Sequence, residues 1–145
     1  MLPQVVTALE SLSVDGGTFV STAIVPHEQW VPSGATLPFV GVRNGGTANE
    51  DCTCAVSSVG CLVNLVASVR MNDEDNEAAI VGAGGTLAIL DAATAAVSSA
   101  SAAFTGIQAF EVIKDHPDNI IKTENGQWIV QSVRSLLITV ERSTL

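Results

Sequence analysis

"SSVGCLVNLVASVRM", Ser57 to Met71, decides the fold. Cys61, Val63, Leu65, Ala67, Val69 and Met71 alternate with Leu62, Asn64, Val66, Ser68 and Arg70. A period of two is that of a β-strand, and one face of this one is almost wholly apolar. A strand this long predicts a central position. The rest of the chain must supply neighbours for it and a cover for its apolar face.

On the C-terminal side the acidic run "NDEDNE", Asn72 to Glu77, predicts a solvated loop leading towards a helix. "AAIVGAGGTLAIL", Ala78 to Leu90, follows. From Thr86 to about Ser99 the spacing of Leu87, Leu90, Thr94 and Val97 predicts a helix, with Ala on its other faces. "FTGIQAFEVIK", Phe104 to Lys114, predicts a strand interrupted at Gly106. "DHPDN" and "KTENGQ" read as turns, and Asn125-Gly126 is a strong hairpin signal. "WIVQSVRSLLITVER", Trp128 to Arg142, predicts a second long strand. Trp128, Val130, Leu136, Ile138 and Val140 share one face of it, with Arg134 as the exception.

On the N-terminal side Pro3 suits a first helical turn. Val5, Val6, Leu9 and Leu12 predict a short amphipathic helix to about Ser13, ended by Asp15 to Gly17. "TFVSTAIV", Thr18 to Val25, predicts a strand. Pro26 to Ala35 reads as a loop. "TLPFVGVRN", Thr36 to Asn44, predicts a strand with Pro38 at an edge or at its start. "NGGTANED", Asn44 to Asp51, reads as a turn or longer loop. Strands and helices are segregated along the chain. The expectation is one α+β domain over residues 1–145, a mostly antiparallel sheet with two main helices packed on one face.

The chain has 145 residues, 47% hydrophobic and 4% aromatic, with no Tyr. Only 14% are charged, against roughly 25% in an average domain. Such a surface suits a subunit that buries area against copies of itself. Net charge is −9, from six Lys and Arg against fifteen Asp and Glu. The cations Arg43, Arg70, Lys114, Lys122, Arg134 and Arg142 are scattered, so no basic patch exists to hold a phosphate backbone. An acidic surface can still let DNA slide without sticking. The start, "MLPQVVTALESL", lacks the basic region of a secretion signal. The charge-poor windows Cys52 to Val69 and Ala92 to Phe110 lack the apolar density of a transmembrane helix, so no membrane partner is expected.

Chemical motifs are few. Gly82, Gly84 and Gly85 satisfy only the first two positions of G-x-G-x-x-G. Leu87 stands where the third glycine belongs, and no acid answers downstream. A flexible entry to the Thr86 helix is the simpler reading, and no cofactor is expected. No Gly-Lys-Ser/Thr phosphate loop is present. A triad could draw on His27 or His116, but no serine has a nucleophile-elbow context. No enzymatic activity is therefore expected. Cys52, Cys54 and Cys61 lack the paired ligands that zinc requires. They are reduced thiols or, in an oxidising setting, a possible disulfide within or between subunits. Trp30 and Trp128 read as core or interface anchors.

The ordered set of segments is more informative than any motif. "LPFVGVRNGG", Leu37 to Gly46, resembles a segment common in tail-completion proteins of tailed bacteriophages. A short helix precedes it. A long alternating strand, an acidic linker, and a helix with "GTLAILDAA", Gly85 to Ala93, follow. A hairpin ending in "ITVE" closes the chain. The resemblance covers nearly the whole sequence. It implies a tail terminator or a similar neck protein such as a head-completion adaptor. Terminators form a ring, usually hexameric, on the head-proximal end of the tail tube. The ring stops tube growth and presents a surface to the head connector. The implied partners are copies of itself, the tail tube protein, connector proteins, and DNA passing through the lumen without specific binding. The implied location is the virion neck, with host cytoplasm during assembly. Asp73, Glu74, Asp75 and Glu77 are the acids to place on such a lumen. The cysteine stretch and the poverty in aromatics depart from the family pattern. A small nucleotide-binding enzyme is the distant alternative.

Overall fold

A computed structural model describes residues 2–14, 18–25, 37–52, 57–71, 78–82, 84–103, 106–122 and 126–141. The long alternating segment is strand β5, Ser57–Met71. It lies in the middle of a six-stranded sheet. On one side it pairs antiparallel with β8, Trp128–Glu141, from Ser58↔Glu141 to Met71↔Trp128 without a shift. Paired residues share a face, so Val59, Val63 and Leu65 line up with Val140, Leu136 and Arg134. On the other side β5 pairs antiparallel with β4, Phe39–Cys52.

That β4 reaches Cys52 corrects the expected turn over Asn44 to Asp51. Register shifts between Asn44 and Gly46, and between Thr47 and Glu50, absorb the irregular residues. Gly46 has φ +91°, and its N–H donates to Asn44 Oδ1 at 2.9 Å. The turn-forming residues therefore make bulges inside a strand, because β5 continues beside them and offers a ladder to pair with.

The sheet is mixed. β3, Ser21–Ile24, runs parallel to β4, from Ser21↔Phe39 to Ile24↔Val42. All other pairs are antiparallel. β4 is thus an interior strand, and a cis Leu37–Pro38 bond lies just before it. The expected strand over Thr18 to Val25 splits at Val20, whose N–H donates to the Leu12 carbonyl. Its first part, β2 (Thr18–Phe19), pairs with β1 (Ser13–Val14) as a small separate ribbon. Helix α1 is Leu2–Leu9, shorter than expected, because the chain turns at Leu12 into β1.

Past β8 the sheet ends in β6, Ile107–Asp115, and β7, Asn119–Lys122, both antiparallel to β8. They are one long hairpin arm. At "DHPDN" the arm does not turn. Asp115 faces Arg134 and Asn119 faces Gln131, so three residues oppose two. Pro117 has no N–H for the ladder, while His116 N–H still reaches the Val133 carbonyl at 2.8 Å. Of the second expected turn, residues 123–125 lie outside the described residues; Gly126 has φ +85°.

Helices α2, Ala78–Val81, and α3, Thr86–Ser101, complete the chain order. α1 and α3 cover one face of the sheet. Val5 and Leu9 from α1 and Ile89, Leu90, Ala93 and Val97 from α3 form one buried cluster with Val40, Val42, Val63, Leu65, Leu136 and Ile138. The buried stripe of α3 runs through Ile89 and Ala93 rather than Leu87 and Thr94, which are half-buried. An 18-residue window within Ala79–Ser101 reaches a mean hydropathy of 1.6. It is broken between Val81 and Thr86, and α3 alone is about 24 Å long against the ~30 Å of a bilayer core.

Candidate functional site

β8 carries polar residues on both faces, and each set makes a cluster. On the helix-covered face Arg134 is the hub. Its Nε donates to Asp115 Oδ1 at 2.6 Å and its Nη2 to Asp115 Oδ2 at 3.0 Å, a two-pronged pair. Its Nη1 donates to Asp91 Oδ1 at 2.9 Å and to Thr94 Oγ1 at 3.1 Å. The sequence exception on an apolar face is thus neutralised from β6 and α3 together. The hydrogen bonds from Arg134, opposed by partial burial, lower the Asp115 carboxyl below its ordinary value. The hydrogen bond to Asp115 is the first cause holding Arg134 above its ordinary value. Both directions favour the charged forms of the pair.

Beside it, Ser132 Oγ donates to Asp118 Oδ1 at 2.5 Å and lies 2.7 Å from Thr86 Oγ1. One hydroxyl has one proton, so Thr86 donates the second bond. This ties the first turn of α3 to β8 and to the Pro117 bulge.

On the opposite face, Ser135 Oγ donates to Asn64 Oδ1 at 2.7 Å and sits 2.8 Å from His116 Nε2. Gln131 Nε2 donates to Ser68 Oγ at 3.0 Å, and Gln131 Oε1 has no hydrogen-bond partner. The His116–Ser135 pair has the composition of a hydrolytic dyad, but Ser135 is buried and its Oγ is also bonded to Asn64 Oδ1, so the hydroxyl is engaged between two strands. The pair therefore holds the His116 bulge against β8, and Asn64 ties it on to β5.

The sequence pointed elsewhere for sites. Asp73, Glu74, Asp75 and Glu77 lie outside the described residues, as do Cys54, His27 and Trp30. Cys61 is half-buried and has no disulfide partner among the described residues. It lines a cavity of about 430 Å³ with Leu2, Pro3, Ile24, Asn44, Gly46 and Leu62. Cys52 pairs with Ser57 in the β4–β5 ladder. That places it four residues along the strand from Cys61, about 13 Å away. A disulfide needs Cα atoms within roughly 7 Å, so Cys52 and Cys61 of one chain do not bridge. The glycine cluster follows helix α2 instead of the strand that a dinucleotide loop requires. Gly84 has φ +77°, and Gly85 N–H closes a turn on the Gly82 carbonyl before capping α3.

Sequence reading passed over the Arg134, Ser132 and Ser135 clusters. The available signal was polar residues four apart, on one face, in two long strands: Asn64 and Ser68 on one, Gln131 and Ser135 on the other. Among the described residues no group of three His, Cys, Asp or Glu is arranged to hold a metal ion. Trp128 packs near Met71 and Val130, with Lys122 Nζ 5.3 Å from its ring centre. Comparison with protein-family models and with curated proteins finds no match to this chain.

Proposed function

We propose that this chain is a structural assembly protein of a tailed bacteriophage, a tail-terminator-like subunit. It closes into a ring with copies of itself at the head-proximal end of the tail tube. The observation that carries this reading is the order of the elements. The segment resembling "PFVG…GG" enters β4. The long alternating strand is β5, and "GTLAILDAA" opens α3. The final "ITVE" segment ends β8, the strand against which the β6–β7 arm pairs. The polar clusters on β8 join strands and helix α3 to one another, which also fits a structural role.

Support for subunit contacts comes from the surface. A groove of about 350 Å³ between α1 and α3 is lined by Pro3, Gln4, Thr7, Ala8, Ala100 and Ala103. Small side chains let a neighbouring element approach closely. None of these lining residues is charged, which keeps desolvation of the groove inexpensive.

Electron microscopy of the purified protein, with mass measurement in solution, tests the proposal. Closed rings are expected, and cryo-electron microscopy of virions is expected to place the chain at the head–tail junction. Compact monomers at every concentration would overturn it. Clear thermal stabilisation by a nucleotide would favour the enzyme reading instead.

A further inference from the structure

The hairpin arm ends the sheet. Among the described residues, nothing pairs with the outer edge of β6. An unpaired edge is a template for another strand unless it is blocked. This edge shows Val112 at 47% and Ile113 at 48% exposure. Glu111 and Lys114 flank them, both exposed.

The β6–β8 register contains a shift at this point. Val112 pairs with Leu136, and Lys114 pairs with Ser135, so Ile113 is an extra residue. Leu136 lies on the helix-covered face and Ser135 on the other. Glu111, opposite Leu137, is also on that other face. In a regular strand Glu111 and Lys114, three apart, would point to opposite faces. The bulge at Ile113 brings them to the same one.

We infer that β6 is a self-association edge, and that it pairs antiparallel with β6 of a second copy across a two-fold axis between Val112 and Ile113. In this register Glu111 of each copy stands opposite Lys114 of the other, and Val112 opposite Ile113. Phe110 meets Asp115 on the helix-covered face, and Ala109 meets His116 on the other. Directly opposed residues in an antiparallel pair must share a face. Registers that place Val112 opposite itself, or Ile113 opposite itself, fail this test. They set Phe110 against Lys114 or Val112 against Lys114, which lie on different faces. The charges are thus complementary in this register, and the bulge makes it possible. The contact stands on β6 alone and does not depend on the tail-neck reading. It joins copies in pairs and cannot close a ring by itself.

Charge reversal tests the pairing. Wild type is expected to show reversible two-fold pairing, of single chains or of the rings they form, by light scattering and analytical ultracentrifugation. Glu111→Lys sets Lys against Lys at both ends, and Lys114→Glu sets Glu against Glu. Each is expected to weaken the dimer by about tenfold or more, with unchanged circular dichroism. Glu111→Lys/Lys114→Glu together restores it. An equimolar mixture of the two single variants forms a heterodimer, a result that a folding defect cannot produce. A monomeric wild type at high concentration overturns the inference. So does a dimer indifferent to both single reversals.

Discussion

Arg134 shows how one side chain can join three elements. Its guanidinium is mostly buried, with 11% side-chain exposure, whereas Asp91 and Asp115 are 73% and 50% exposed. The two acids can return to water if the arginine is removed. Arg134→Met is therefore expected to cost about 1–3 kcal/mol, from lost charge-assisted hydrogen bonds. Asp91→Asn should cost less than about 1 kcal/mol, since that pair is solvent-screened. Urea unfolding of the two variants checks the ranking. The lowered Asp115 carboxyl adds a pH dependence. A depressed folded pKa stabilises the fold above the unfolded pKa, and that stability is lost as pH falls through the folded value. Wild type should thus lose stability below about pH 4, and Arg134→Met should lack this component. The sequence marked Arg134 only as an anomaly on an apolar face. Its partners are 19 and 43 residues away, so no local pattern could name them.

Strand β4 is where local chemistry and pairing disagree. "NGG" favours a turn, and Gly46 does take the left-handed backbone that turns use. Yet the ladder continues, because Gly45 lets β5 pass close. A Cβ at Gly45 would lie 2.9 Å from Leu62 Cβ and 3.1 Å from the Leu62 carbonyl oxygen. Backbone cannot swing aside as a flexible side chain can. Gly45→Ala is expected to destabilise by about 1–3 kcal/mol through this overlap, measured as a shift in the urea midpoint. An unchanged midpoint would mean that the bulge is not held against β5. The Pro117 bulge has the same logic. "DHPD" carries turn residues, but Ser132, Ser135 and the Val133 carbonyl hold Asp118, His116 and the backbone against β8.

At the scale of the molecule, one buried cluster draws side chains from α1, α3, β4, β5 and β8. No described element has a separate large core. Unfolding should therefore be a single cooperative transition. Helical circular dichroism and tryptophan fluorescence should lose their signals at the same denaturant concentration; separated midpoints would show a second unit. The same architecture frames the two assembly tests. Ring formation concerns surfaces such as the α1–α3 groove, and two-fold pairing concerns β6. Charge reversal at Glu111 and Lys114 should leave any ring contact outside β6 intact.

The sequence by itself determined the α+β class, the limits of β5, the start of α3 and the face of β8 that meets the core. These follow from hydrophobic period, which is local and survives without knowledge of partners. Tertiary structure decided the parallel β3–β4 pair, the run of β4 through its glycines, the joining of β6 and β7 into one arm, and the partners of Arg134. Each depends on which strand lies alongside, and hydrogen-bond pairing between residues distant in the chain leaves no periodic trace in either segment.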